Sequence, residues 1–231
     1  MAPMHSTVTR LLVGGFLLPD SIAAGERVVV NAWVVRHPDA IVLVDTGLGG
    51  HIPQEDWQEM RFLRTPIDEA LASVGLAPAN VDLVINCHLH VDHAGGNVAF
   101  RGTPILVQPA ELEAARGADY TVTEDVDLEE GRYEVHDGEH EPLPGIRVLP
   151  TPGHSPGRQS VAIDTDAGRL VLAGQVFREA SAFARALTAY RLSMEGSPEA
   201  PAFPDWLTRM MELDPYRIAF GHDLAVWQAD A

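Results

Sequence analysis

A chain of 231 residues, 46% hydrophobic and 21% charged, is long enough to bury a substantial core within a single domain. With 33 acidic residues against 16 basic ones its net charge is -17, which excludes a surface built to neutralise phosphates, so neither nucleic acid nor an anionic membrane is an expected partner. The single cysteine, Cys87, permits no internal disulfide and no thiolate-rich zinc module, and favours a reducing, cytoplasmic compartment.

In chain order, LLVGGFLLP (Leu11 to Pro19) is far shorter than the roughly 20 residues that span a bilayer, and reads as one or two buried strands rather than a targeting segment. From Arg27, RVVVNAWVVRHPDAIVLVDTG gives two apolar runs joined by the turn His37-Pro38-Asp39-Ala40, a hairpin whose second strand ends at Asp45-Thr46-Gly47. Pro66 to Val74 has helical spacing, and VDLVINC (Val81 to Cys87) is the short continuous apolar run of a strand covered on both faces. TPILVQ (Thr103 to Gln108) predicts a strand, and PAELEAAR (Pro109 to Arg116) a helix with Pro at its start and acids in its first turn. Residues 117 to 141, polar and acid-rich with the alternating piece RYEVH, read as a surface excursion and an edge strand. GIRVLPT, RQSVAIDT and RLVLAG predict three further strands. A proline-bounded segment then leads to a helix with Trp206, Leu207, Met210 and Met211 on one face, and to a last strand, RIAFGH. This alternation predicts an α/β fold in one domain over 1–231, an αββα sandwich of two mixed β-sheets with outer helices. The strand endings DTGLG and AGQVF hint at a twofold internal repeat.

The strongest chemical signal is CHLHVDHAGGN, Cys87 to Asn97, with the spacing H-x-H-x-D-H at the end of a buried strand. An extended chain points His88 and His90 the same way, toward one cation, while the turn from Val91 to Gly95 carries Asp92 and His93 elsewhere. One loop can thus serve two metals. Imidazole and carboxylate donors without thiolates suit zinc, iron, manganese or nickel. His154, held between two Pro-Gly pairs in TPGHSPG, and His222, in FGHD, also stand just past strands. His5, His37, His51, His136 and His140 lack that context and read as surface residues, and Cys87 as a buried thiol.

These motifs resemble the metallo-β-lactamase superfamily of binuclear hydrolases, from the VDTG strand end to FGHD. HLHVDHAGGN, NVAF, TPILVQ, TPGHSPGRQS and FGHD are most similar to the N-acyl homoserine lactonases. The resemblance implies that His88, His90 and His154 bind a first metal, that Asp92, His93 and His222 bind a second, and that Asp45 orients the ligand loop from behind. It implies a hydrolase that opens a lactone or related ester through a metal-bound hydroxide, with Asp92 also shuttling a proton.

Two departures fall in one turn. Where the family has an aspartate bridging the metals, this chain has Gln175; where the lactonases place a substrate-binding tyrosine three residues later, it has Arg178. A neutral amide donates weakly to zinc, so one tight Zn2+ site and a second that is weak or filled only with substrate are expected, with iron or manganese as alternative metals. Arg178 offers a fork for an anionic substrate group, or else pairs with Glu179 or another nearby acid. Phe100 and Phe177, with Phe183, are candidates to line an apolar pocket. A thioesterase of the glyoxalase-II kind, a mononuclear iron oxygenase and a non-catalytic ligand-binding descendant remain open, and the expected assembly is a monomer or homodimer acting on a small molecule.

Overall fold

The computed structural model describes residues 5–18, 23, 25–118, 120–129 and 131–229. Its first sheet contains β1 (Thr7–Leu17), β2 (Arg27–Arg36), β3 (Ile41–Val44), β4 (Leu63–Arg64), β5 (Leu83–Ile85), β6 (Ile105–Val107) and β7 (Glu134–Val135), in the order β4-β1-β2-β3-β5-β6-β7. The second contains β8 (His140–Leu143), β9 (Ile146–Pro150), β10 (Gln159–Thr165), β11 (Gly168–Leu172), β12 (Pro215–Ala219) and β13 (Val226–Gln228), in the order β13-β12-β11-β10-β9-β8. Both sheets are mixed: β3, β5, β6 and β7 run parallel, as do β11 and β12, while the other neighbours are antiparallel.

Strand alternation explains the layers. On β2, Trp33 and Val35 face inward with Val42, Val44 and Ile85, and meet Val148, Val161, Ile163 and Leu172 of the second sheet. Val30, Ala32 and Val34 point the other way, into a cluster with Ile67, Leu71 and Phe100 under the helices. Those helices are short: α1 (Gln54–Met60), α2 (Ile67–Ala72), α3 (Val91–Ala94), α4 (Pro109–Ala115) and α5 (Thr123–Val126). On the opposite side α6 (Ala180–Met194) and α7 (Asp205–Glu212) cover the second sheet through Phe183, Leu187, Leu207 and Met210. The architecture is the αββα sandwich that the alternation predicts. No helix among the described residues is long and apolar enough to cross a membrane.

Three readings are corrected. Segment 117–141 is not a plain surface excursion, because it buries Asp125, Val126 and Tyr133 and brings Tyr120 inward, while RYEVH does supply the edge strand β7. The His37 ring is buried, 5% exposed, with Nε2 beside the Pro144 carbonyl at 3.0 Å. Phe100, 1% exposed in the helix-side core, has no surface to offer a substrate.

Candidate metal centre

Parallel strands deliver their C-terminal ends to one rim, where crevices form in layered folds. β5 runs into Asn86, Cys87 and His88, and the chain then turns into α3 with Asp92 and His93. β3 ends at Asp45, β11 leads to Gln175, and β12 leads to His222. His154 comes from the turn between β9 and β10, opposite the β5 loop.

The side chains converge in two triads. His88 Nε2 and His154 Nε2 each lie 3.1 Å from His90 Nδ1. His93 Nε2 lies 3.1 Å from His222 Nε2 and 3.5 Å from Asp92 Oδ2, and His222 Nε2 lies 3.3 Å from that same oxygen. Zinc–nitrogen bonds of about 2.0–2.1 Å in tetrahedral array put neighbouring ligand atoms about 3.3 Å apart. The donor sets therefore fit a divalent cation in spacing and in chemistry. The His88 and His93 rings are 4.2 Å apart, so the two triads share a wall.

In the second triad both outer imidazole nitrogens have a partner that turns the ring. Asp45, buried and in the left-handed region at φ 61, accepts from Cys87 N at 2.7 Å and from His93 Nδ1 at 2.9 Å. His222 Nδ1 donates to the Val29 carbonyl at 2.8 Å. Both leave Nε2 facing its triad. Cys87 lies behind the centre, its Sγ 3.1 Å from His88 Nδ1 and 3.3 Å from His93 Nδ1, and burial, then the Asp45 carboxylate, pushes its thiol up to about 12. Its sulfur faces the Nδ1 atoms of His88 and His93, away from the Nε2 atoms that the two triads use, although Cys87, His88 and His93 also bring three donor atoms within 4.8 Å of one another.

Electrostatics follow from burial. Burial and the neighbouring imidazoles lower His88 and His90, and take His154 to about 4, so these rings are neutral and present lone pairs. His222 is also lowered, first by burial and then by His93. At Asp92 burial opposes ionisation, but His93 and His222 outweigh it and hold the carboxylate below its ordinary range. At His93 burial again opposes charge, and the adjoining Cys87, Asp92 and Asp45 groups overcome it, raising the imidazole well above its usual value.

The Metallo-beta-lactamase superfamily model matches residues 25–222, from the start of β2 to the last histidine of the second triad. The chain belongs to this superfamily. An N-acyl homoserine lactonase of Bacillus cereus is 46% identical over 166 residues, 66% of each chain. The N-acyl homoserine lactonase AiiA of Bacillus thuringiensis subsp. kurstaki is 35% identical over 179 residues, 73% of this chain and 68% of the relative. The chain thus aligns with about two thirds of the length of these curated relatives. An N-acyl homoserine lactone hydrolase solved with N-hexanoyl-L-homoserine at its catalytic metal centre superposes with a TM-score of 0.69 at 27% identity, over 97% of this chain and 95% of that one.

Within this superfamily frame the departing turn is tightly built. Gly174, at φ 56, lies against Cys87, where a Cβ would stand 2.7 Å from Cys87 Cβ. Gln175 follows it, half-buried, and Gly221 N donates to the Gly174 carbonyl at 2.8 Å, so the chain bearing Gln175 runs beside the one bearing His222. Arg178 pairs with Glu26, 3.2 Å away, not with Glu179. Phe177 is half-buried and packs on Phe183 and Trp206.

Several polar residues around the centre escape a sequence reading. Tyr120 lays its ring 4.6 Å from that of His90 and donates to Glu111; burial and that hydrogen bond push its phenol up. Asn97 bridges Asn86 and Tyr133 and accepts from Thr46. Arg158, fully buried, and Trp206 donate to the Thr151 and Pro152 carbonyls, bracing the turn that carries His154. Only the repeated Asn, Gln and Tyr beside apolar strand ends could have marked them.

Proposed function

We propose that this protein is a metal-dependent hydrolase that opens lactones or related esters, with N-acyl homoserine lactones as the first substrates to test. The observation that carries the reading is the pair of adjacent three-donor sets, the first with its donors within 4.8 Å and two edges of 3.1 Å, the second with edges of 3.1 to 3.5 Å, in a homologue of N-acyl homoserine lactonases. His88, His90 and His154 would hold the first metal; Asp92, His93 and His222 would hold the second, with Gln175 beside it. Zinc is the metal proposed, because three imidazoles at tetrahedral spacing are a complete catalytic set for it. A divalent ion bound there supplies an activated water and a Lewis acid for the ester carbonyl.

The chain's own residues do the rest. Asp92, held ionised by His93 and His222, can take a proton from the attacking water and return it to the leaving oxygen. Beside His222 lies an apolar cavity of about 420 Å³, lined by Leu12, Phe16, Val28, Val29 and Leu63 with Arg27 and Arg64. Two of its lining residues approach His222, the Phe16 ring at 6.0 Å between centroids and the Val29 carbonyl through a hydrogen bond from Nδ1, which supports a substrate channel on this side of the second triad. Its apolar lining would suit an acyl chain better than the buried Phe100 does. Gln175 in place of an anionic bridge leaves Asp92 as the only carboxylate in either triad, which supports one tight and one weak equivalent. The lone thiol is consistent with a cytoplasmic protein.

The test is elemental analysis and metal titration of wild type and Gln175→Asp, assayed on a homoserine lactone. Wild type should retain about one equivalent after dialysis against a weak chelator and hydrolyse the lactone, and Gln175→Asp should retain more metal. Two tightly held equivalents in wild type would overturn the occupancy argument. No turnover of lactones, esters or thioesters with zinc, manganese, cobalt or iron supplied would overturn the enzymatic one.

A further inference from the structure

The triad of His88, His90 and His154 draws its donors from two separate turns, yet His90 Nδ1 lies 3.1 Å from a nitrogen of each partner and all three donors fall within 4.8 Å of one another. Something must fix the turns against each other. Glu111 lies in the first turn of α4, is 1% exposed, and is not a metal donor. A carboxylate so buried must be fully hydrogen-bonded. Oε1 accepts from Leu89 N at 2.8 Å and from the Tyr120 hydroxyl; Oε2 accepts from Ser155 Oγ at 2.7 Å and Gly157 N at 3.1 Å. These four bonds fill its acceptor sites.

The donors are not scattered. Leu89 separates His88 from His90, Ser155 follows His154, and Tyr120 carries the ring that lies on His90. Gly157 permits the approach, because a Cβ there would stand 2.1 Å from Glu111 N. None of the four bonds reaches Asp92, His93 or His222, whose outer partners are Asp45 and Val29. We propose that Glu111 is the positioning residue of the first metal centre: one buried carboxylate that locks the β5 loop, the His154 turn and Tyr120 together, so that the three imidazoles are aligned before any metal binds. The proposal rests on the assignment of His88, His90 and His154 as metal ligands.

An amide cannot replace this group. Whichever way Gln is turned, its NH2 faces a backbone N–H, of Leu89 or of Gly157, and one turn is released. Removing such an outer partner typically weakens metal binding by about 10–100-fold. Ser155→Ala and Tyr120→Phe each delete one donor and keep the carboxylate, so each should cost about 2–10-fold.

The experiment is a cobalt(II) titration of folded apo protein in competition with a chromophoric chelator, reading ligand-field absorption, with the melting temperature of each variant alongside. His154→Ala identifies the first equivalent by abolishing it. Glu111→Gln should weaken that equivalent about 10–100-fold and alter its spectrum, with the second equivalent unchanged within about twofold. Wild-type affinity and spectrum for the first cobalt in Glu111→Gln, however far its melting temperature falls, would reduce Glu111 to a packing role and overturn the proposal. If Glu111→Gln does not fold, Ser155→Ala and Tyr120→Phe decide on the same readout, and an unchanged first equivalent in both overturns it. A wild type with no cobalt equivalent that His154→Ala removes would instead refute the ligand assignment, and this inference with it.

Discussion

Asp45→Asn tests how the second triad is held. The asparagine keeps the volume of the aspartate and tolerates the left-handed backbone at φ 61, so the turn should survive. What changes is the hydrogen-bond polarity. The aspartate accepts from Cys87 N and from His93 Nδ1. With its single oxygen kept on Cys87 N, the Asn amide points its NH2 at His93 Nδ1 and favours the tautomer with the proton on Nε2, the atom that faces Asp92 and His222. If the amide turns the other way, Cys87 N–H is left unpaired in a site 1% exposed, at about 1–3 kcal/mol. Either outcome should weaken the second metal equivalent by about 10–100-fold, or about 1.4–2.8 kcal/mol, and leave the first within about twofold. Metal titration separates the two equivalents, and long-range nitrogen–proton NMR of the zinc-loaded protein reads the His93 tautomer. Unchanged second-site affinity with the Nδ1–H tautomer retained would refute the reasoning.

Four other outcomes follow from the same contacts. Phe100→Ala should cost about 3–5 kcal/mol in urea unfolding, while the ratio of kcat/KM for long and short acyl chains stays constant; a selective loss on long chains would return Phe100 to the substrate site. Cys87, with its thiol at about 12 and 1% exposure, should resist alkylation at pH 8 in the folded protein and react only on unfolding, as mass spectrometry can show. Glu139 is held below its ordinary range first by its hydrogen bonds to Arg209, so its contribution is present above an unfolded value of about 4.3 and is lost as pH falls through the folded one. That pair is partly exposed, so Glu139→Gln should cost less than about 1 kcal/mol at pH 7 and nothing at pH 2, by denaturant unfolding at both. Arg178→Gln breaks an ion pair of similar exposure with Glu26, and should change KM for the lactone while the melting temperature and metal content stay near wild type.

The two donor sets were legible in the sequence because their information is local. His88, His90, Asp92 and His93 fall within six consecutive positions, and His154 and His222 announce themselves by Gly and Pro turns after apolar strands. The sheets were legible for a similar reason, since β2 places Val30, Ala32 and Val34 on one face and Trp33 and Val35 on the other. The supporting residues were not, because their meaning depends on partners far along the chain. Glu111 looks like an ordinary acid in the first turn of a helix until Leu89, Tyr120, Ser155 and Gly157 arrive from both sides. Asp125 sits in an acidic stretch that reads as solvated, yet it accepts from the Gly50 and His51 amides and bonds the His51 ring. Helix α6 escaped notice because alanines dilute its apolar face to Phe183 and Leu187, one turn apart, and α1 because it buries no residue at all.

The turn that carries Gln175 and Arg178 is tied down at both ends. Its start is pinned by Gly174 against Cys87 and by the bond from Gly221 N; its end is pinned where Ala180 N donates to Asp223 Oδ2 at 2.9 Å, next to His222. Asp223 also accepts from Asn31 through its carbonyl, which ties the same corner to β2, the strand that supplies Val29 to His222. A backbone so held cannot answer a change of side chain by shifting. In the reading proposed above, Gln175 and Arg178 would then act by charge and reach: the first offers a neutral amide where an anion is expected, and the second a guanidinium already matched by Glu26. On that proposal, substitutions at 175 and 178 should alter substrate preference and metal occupancy together while the melting temperature stays near wild type.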